Sequence, residues 1–203
     1  MEHRILIVIR IVVLLLLCSV GGCTRGGEYV YTAAPQMQIR LCHVALLPLL
    51  NETENSTAAT LSYRTMTTEL MAVPQVRICN PAEVKNALRR HQIFPSEIYS
   101  APSSVFRAMA EELQVEGYIR GKVITFTQEY ADSTTKVPHI TLQLELLKAD
   151  GSLISQMFYT RRGDDYRSLM HYGVVYSYTE LAARMTREII AKWVEQGQVG
   201  CNP

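Results

Sequence analysis

Hydrophobic residues change their spacing from one stretch of this chain to the next, and each spacing predicts an element. From Cys42 to Asn51 (CHVALLPLLN) apolar residues run nearly unbroken, the pattern of a strand covered on both faces. Pro48 has no amide to give a ladder, so it belongs near the C-terminal end of that strand. The polar loop NETENST follows. Ala59, Tyr63, Met66 and Leu70 then fall at i, i+4, i+7 and i+11, one face of a helix. Gln75–Asn80 (QVRICN) reads as a second, short strand. Asn80, Pro81 and Glu83 make the clearest helix start in the chain: a cap, a proline at the first helical position, and a carboxylate placed to reach back to the cap. That helix, PAEVKNALRRHQ, stops before Phe94-Pro95. A helix over Ser103–Gln114 carries Val105, Met109 and Leu113 on one side, and a strand runs from Val115 to about Tyr130.

Beyond Tyr130 the period becomes two. In HITLQLELL, Ile140, Leu142, Leu144 and Leu146 alternate with Thr141, Gln143 and Glu145, as in a half-buried antiparallel strand. Asp150-Gly151 signals a hairpin, and SLISQMFYT returns as the last strand. Ser177 and Glu180 form an S-x-x-E capping box for a long final helix, whose stripe is Leu181, Met185, Ile189 and Trp193. The order is β-α-β-α-β-β-β-α, with a further helix before the third strand. It predicts a single α/β domain with a mixed β-sheet packed with helices over residues 39–197, followed by a tail, 198–203. Right-handed crossovers are expected to put the first helices on one face.

The N-terminus follows a different logic. Arg4 and Arg10 precede an apolar run, Ile11–Val20, shorter than the ~20 residues a membrane-spanning helix needs. It ends Val20-Gly21-Gly22-Cys23, which resembles a bacterial lipobox: small residues enter a peptidase cleft in extended form, and the thiol accepts the diacylglycerol. Residues 1–22 are therefore read as a lipoprotein signal peptide and Cys23 as the lipid attachment site. Thr24 in place of Asp points to outer-membrane sorting, and several acyl chains on one cysteine give firm anchoring. Residues 23–38 (CTRGGEYVYTAAPQMQ), with glycines, a proline and no apolar period, read as a flexible tether into the periplasm.

The chain is 48% hydrophobic and 19% charged, with a net charge of +1. Near-neutrality and the lack of long Lys/Arg runs (Arg89-Arg90 and Arg161-Arg162 stand as pairs) argue against a nucleic-acid partner. Of five cysteines, Cys18 leaves with the signal and Cys23 is acylated. Cys42, Cys79 and Cys201 remain, an odd set in an oxidising compartment, which allows at most one disulfide within the chain and leaves at least one thiol.

Candidate chemistry is sparse. Gly117-Tyr-Ile-Arg-Gly121-Lys122 has three residues between its glycines where a phosphate loop needs four, and Val123 follows the lysine. His43, His91, His139 and His171 show no i, i+4 pairing on a helix, so neither a metal site nor a cofactor is expected. Ser152 lacks a nucleophile elbow. Asp164-Asp165 could act as paired carboxylates but is better read as capping a short helix near Tyr166. Tyr159, Tyr166, Tyr172, Tyr176 and Tyr178 gather around the last strand and the following helix, where they serve either core packing or an interface. No nucleophile, base and oxyanion site assembles, so a non-enzyme is expected.

Taken together, HVALLPLLNETENS, ICNPAEVKNALRRHQI, AMAEELQVEGYIRGKVITF and LELLKADGSLISQMFY resemble the domain shared by CsgG, PelC, LpoB and the N-terminal domain of TolB. The likeness covers most of Ile39–Trp193. It implies an outer-membrane-anchored periplasmic lipoprotein that works by assembly: a homo-oligomer serving envelope export machinery in the manner of PelC, or a docking regulator of a cell-wall enzyme in the manner of LpoB. CsgG-like pores need additional membrane-length hairpins, and the intervals between elements here are too short to hold them. The short tether, at about 3.3–3.6 Å per extended residue, favours work at the membrane surface.

Overall fold

The structure, a computed structural model, describes residues 29–33 and 39–201. One seven-stranded mixed sheet organises it, in the order β1-β7-β6-β5-β2-β4, with β3 paired to β5 beside this path. The strands are β1 (Tyr29–Ala33), β2 (His43–Leu46), β3 (Leu50–Asn51), β4 (Arg77–Ile78), β5 (Gly117–Tyr130), β6 (Lys136–Lys148) and β7 (Leu153–Arg162). The helices are α1 (Ala58–Met71), α2 (Pro81–Arg90), α3 (Ser103–Leu113) and α4 (Tyr178–Glu195). β2 is parallel to both β4 and β5, whereas β5, β6 and β7 form an antiparallel meander. The predicted α/β class, mixed sheet and element order are all present, and so is the helix expected before the third strand.

The apolar run Cys42–Asn51 is two strands, not one. Leu47–Leu49 interrupt the ladder at Pro48, although the Leu47 amide still donates to Ile119 O at 2.8 Å. Both faces of β2 are covered, as expected: Val44 and Leu46 enter one core, Ala45 and Leu47 the other.

Those two cores correct the expected helix placement. α1 and α4 pack on one face of the sheet, where Met66 and Leu70 meet Leu181, Met185, Ile189 and Trp193. α2 and α3 pack on the opposite face, with Val84, Leu88, Phe106 and Met109 against Tyr118 and Leu147. Strand order explains this. The β2-to-β4 crossover moves one way across the sheet and the β4-to-β5 crossover moves back past β2; connections of one hand running in opposite directions place their helices on opposite faces. The buried face of α1 is also one residue off expectation. Ala58, Ser62, Met66 and Leu70 are buried, and Ala59 and Tyr63 lie at the margin.

Two ends depart from the sequence reading. Within the stretch read as tether, Tyr29–Ala33 form β1, antiparallel to β7, with Tyr29 opposite Tyr159 and Ala33 opposite Ser155. Residues 198–201, read as tail, belong to the domain. Val199 is buried and bridges Leu41, the Gly200 amide donates to Leu41 O at 2.8 Å, and Cys201 is disulfide-bonded to Cys42.

Candidate functional site

Cys23 lies outside the described residues. Cys42 and Cys201 form the one disulfide of the described residues, and Cys79 is a buried free thiol. Burial pushes the Cys79 thiol up to about 11, helped by the charge of Glu83, whose carboxylate takes the thiol at 3.7 Å. Glu83 therefore serves the cysteine, while Asn80 alone caps α2 by accepting from the Ala82 amide at 2.9 Å. A thiol so held is a packing group rather than a nucleophile.

The four histidines stay apart, and no group of three or more metal-ligating side chains occurs among the described residues. His43 Nδ1 faces Gln114 O at 2.8 Å, and His91 Nε2 lies 3.1 Å from Glu112. His139 makes the most suggestive contacts: Nδ1 to Glu129 Oε1 at 2.5 Å and Nε2 to Thr160 Oγ1 at 3.1 Å. Hydroxyl, imidazole and carboxylate thus follow one another in the order of a nucleophile relay. Thr160 is also held at 2.8 Å by Thr141, however, and Arg162 takes the other oxygen of Glu129 at 3.2 Å. The row stitches β5, β6 and β7 across the sheet, and three grooves among the described residues are lined by other side chains.

Asp164 and Asp165 do not cap a helix at Tyr166. They lie inside the 3-10 turn Gly163–Tyr166, where Asp165 accepts from the Arg162 amide at 2.8 Å and Asp164 pairs with the Arg162 guanidinium at 3.1 Å. Both carboxylates are used in turning the chain from β7 into the following connection.

The tyrosine cluster divides in two. Tyr159 is fully buried; its hydroxyl donates to Glu188 on α4 and accepts from Arg161 at 2.7 Å, with the Arg161 guanidinium 4.7 Å from its ring. Burial, and then Glu188, raise its phenol well above the ordinary range. Tyr166 packs on the core under Arg184, and Tyr178 stacks on Phe126 at 4.1 Å. Tyr172 and Tyr176 remain exposed, together with Leu169 and Met170. These four form an apolar tip on the connection between β7 and α4.

A second apolar surface lies between α1 and α2. A groove of about 570 Å³ runs between α1 and α2, walled by Pro48, Tyr63, Pro81, Leu88, Ile93, Phe94 and Pro95, with Lys85 and Arg89 on its rim. Phe94 stands exposed there. The tip is partly legible in the sequence, since Tyr172 and Tyr176 belong to the tyrosine cluster read as core or interface; the groove is not apparent from the sequence. Phe94-Pro95 reads locally as a helix stop, and only the fold brings it to Pro48 and Pro81. Leu169-Met170, an apolar pair in a polar connector, is a further local signal at the tip that the sequence reading did not use.

The remaining open sheet face is polar. Arg120 pairs with Glu145 at 2.5 Å and Lys122 with Glu52 at 2.6 Å, and both cations lie on the Tyr99 ring, 4.4 and 4.7 Å from its centre. Each charge here has a partner.

No family model matches the chain, and no curated protein matches it. Solved structures do. The PelC dodecamer from Paraburkholderia phytofirmans is similar over 87% of this chain and 100% of its own, at 18% identity and a TM-score of 0.53. Lipoprotein GNA1162 from Neisseria meningitidis matches 76% of this chain and 99% of its own, at 10% identity and a TM-score of 0.52. The hypothetical protein CT253 from Chlamydia trachomatis matches 77% and 97%, at 13% identity and a TM-score of 0.51. This chain has the fold that PelC and the lipoprotein GNA1162 share.

Proposed function

We propose that this chain is a non-enzymatic, lipid-anchored periplasmic protein that serves envelope export as an assembly or accessory component and acts through self-association. The observation that carries the reading is the fold in common with PelC, which was solved as a dodecamer. Two features of this chain support it. The ionisable groups that could do chemistry are spent on strand stitching and turns, and four large apolar or aromatic side chains, Leu169, Met170, Tyr172 and Tyr176, are left exposed on one connection. The long β5–β6 pair is used within the sheet, where Ile119, Val123 and Phe126 of β5 and Ile140, Leu142, Leu144 and Leu146 of β6 join the core under α1 and α4.

Anchoring is by acyl chains on Cys23, at the outer membrane and facing the periplasm. The Cys23→Ser protein is expected to leave the outer-membrane fraction of cells; one that still partitions fully with that membrane contradicts the lipid anchor. Self-association is tested on the acyl-free mature protein by sedimentation over a concentration series. Reversible growth in mass is expected. A strict monomer at every concentration favours instead a docking regulator of a cell-wall enzyme, the LpoB-like alternative.

A further inference from the structure

The apolar tip and the apolar groove are separate surfaces of one domain, with no residue in common. The tip lies on the connection from β7 to α4, whose first residue Tyr178 stacks on Phe126 of β5; the groove is walled by Pro48 after β2, Tyr63 of α1 and Pro81 of α2. Two different surfaces of one molecule that meet between copies make a heterologous contact, and such a contact repeats: it closes into a ring or runs on as a filament. We propose that the Leu169–Tyr172 tip of one copy seats in the Pro48–Phe94 groove of the next. The inference rests on the self-association reading and identifies the surfaces that would carry it.

Both halves are built before they meet. In the tip, the Tyr172 amide donates to Leu169 O and the Ser168 amide to Tyr172 O, each at 2.8 Å. Gly173, at φ +85°, permits the close return, since a Cβ there would lie 2.2 Å from Tyr166 O. Met170 adopts φ 52°, a conformation costly for a residue with a side chain, and that side chain is 77% exposed. Strain that holds an apolar side chain out in solvent points to a contact made elsewhere. In the groove, Pro48, Pro81 and Pro95 fix the backbone of three walls, so little order is lost on binding.

Size and chemistry agree. Leu169, Met170, Tyr172 and Tyr176 are 51–77% exposed and together offer roughly 600 Å² of surface, close to the ~800 Å² each partner gives to a standard interface. Lys85 and Arg89 on the groove rim give the incoming tyrosine rings cations to face, an arrangement this molecule already uses at Tyr99, Tyr130, Tyr159 and Tyr166. A lipid surface could take the tip but would leave the groove empty; a second copy fills both.

The test uses the mature full chain in two singly substituted forms, Met170→Cys and Lys85→Cys, mixed and gently oxidised. In a Cys23→Ser background, which removes the N-terminal thiol, a disulfide-linked heterodimer is expected from the mixture, and a ladder of linked species from the double variant; native Cys79 is buried and should add little background. Met170→Gly supplies an independent check, because glycine relieves the left-handed backbone. It should leave the melting temperature unchanged or higher while weakening self-association at least tenfold. Wild-type association with no cross-link and no effect of Met170→Gly overturns this interface and leaves self-association standing. A wild type that stays monomeric throughout removes both. Met170→Gly protein that associates normally but loses binding to phosphatidylethanolamine–phosphatidylglycerol vesicles overturns the interface in favour of a membrane contact.

Discussion

Four phenols, on Tyr99, Tyr118, Tyr159 and Tyr166, are held well above the ordinary tyrosine range, in each case chiefly by burial. Tyr118 donates to Phe106 O at 2.6 Å beneath α3, and Tyr159 reaches Glu188 on α4, so two of them also tie the sheet to a helix layer. A phenol with a raised folded pKa keeps its proton more tightly in the folded chain than in the unfolded one. Below about pH 10 both states are protonated and its stabilising effect is fully present; above it, the unfolded chain sheds protons that the folded chain retains, and stability falls. Cys79, pushed up to about 11 from its usual value, starts the same trend about one pH unit earlier. The melting temperature should therefore decline progressively above about pH 9–10, and phenolate absorbance from the buried tyrosines should appear together with unfolding. Tyr159→Phe is expected to shallow the decline. Full phenolate absorbance from a chain that keeps its native circular dichroism would contradict the assignment.

Helix starts are the elements that local sequence specified best, because a cap is settled within four residues. Asn80 and Ser177 accept from the amides of Ala82 and Glu180, at 2.9 and 3.2 Å. Replacing either by alanine should cost about 1 kcal/mol in denaturant unfolding, with the transition slope unchanged. A loss of only a few tenths would mean that water caps the helix as well as the side chain does. The α4 stripe was legible for a similar reason: Leu181, Met185, Ile189 and Trp193 are all large and apolar, and all are buried. The α1 face was misplaced because half of it, Ala58 and Ser62, is small or polar, and small size is what lets α1 lie close to its neighbours. Which face of the sheet each helix covers was not legible at all. It depends on β5 returning past β2, a pairing between residues far apart in the chain. The groove belongs to the same class, since Pro48, Pro81 and Phe94 become neighbours only after α1 and α2 have taken opposite sides, whereas half of the tip, Tyr172 and Tyr176, stood out in the sequence.

At the scale of the whole molecule, the chain is closed by its own end. Cys42, Gln75 and Glu116 stand just before three parallel strands, β2, β4 and β5. The Cys42 amide donates to the Glu116 carboxylate at 2.6 Å, the Cys201 amide donates to Gln75 O at 2.6 Å, and the disulfide joins Cys201 to Cys42. The last residues thus clasp the entry ends of strands that reach the sheet by separate crossovers. The bond spans 159 residues, and a loop that long restricts the unfolded chain strongly; removal of such a native disulfide typically costs about 2–4 kcal/mol. For a domain of this size that lowers the melting temperature by roughly 5–15 °C. The Cys42→Ser/Cys201→Ser protein, and the native protein under reductant, should both show this loss with unchanged far-ultraviolet circular dichroism, since Val199 and the backbone hydrogen bonds still seat the segment. Amide exchange should quicken first at Leu41, Gly200 and Cys201. Such a bond forms in an oxidising compartment, so mature protein recovered from the cytosol should melt like the serine variant, and protein recovered from the periplasm should not. Equal melting temperatures for the two preparations would mean that the clasp holds by its hydrogen bonds alone.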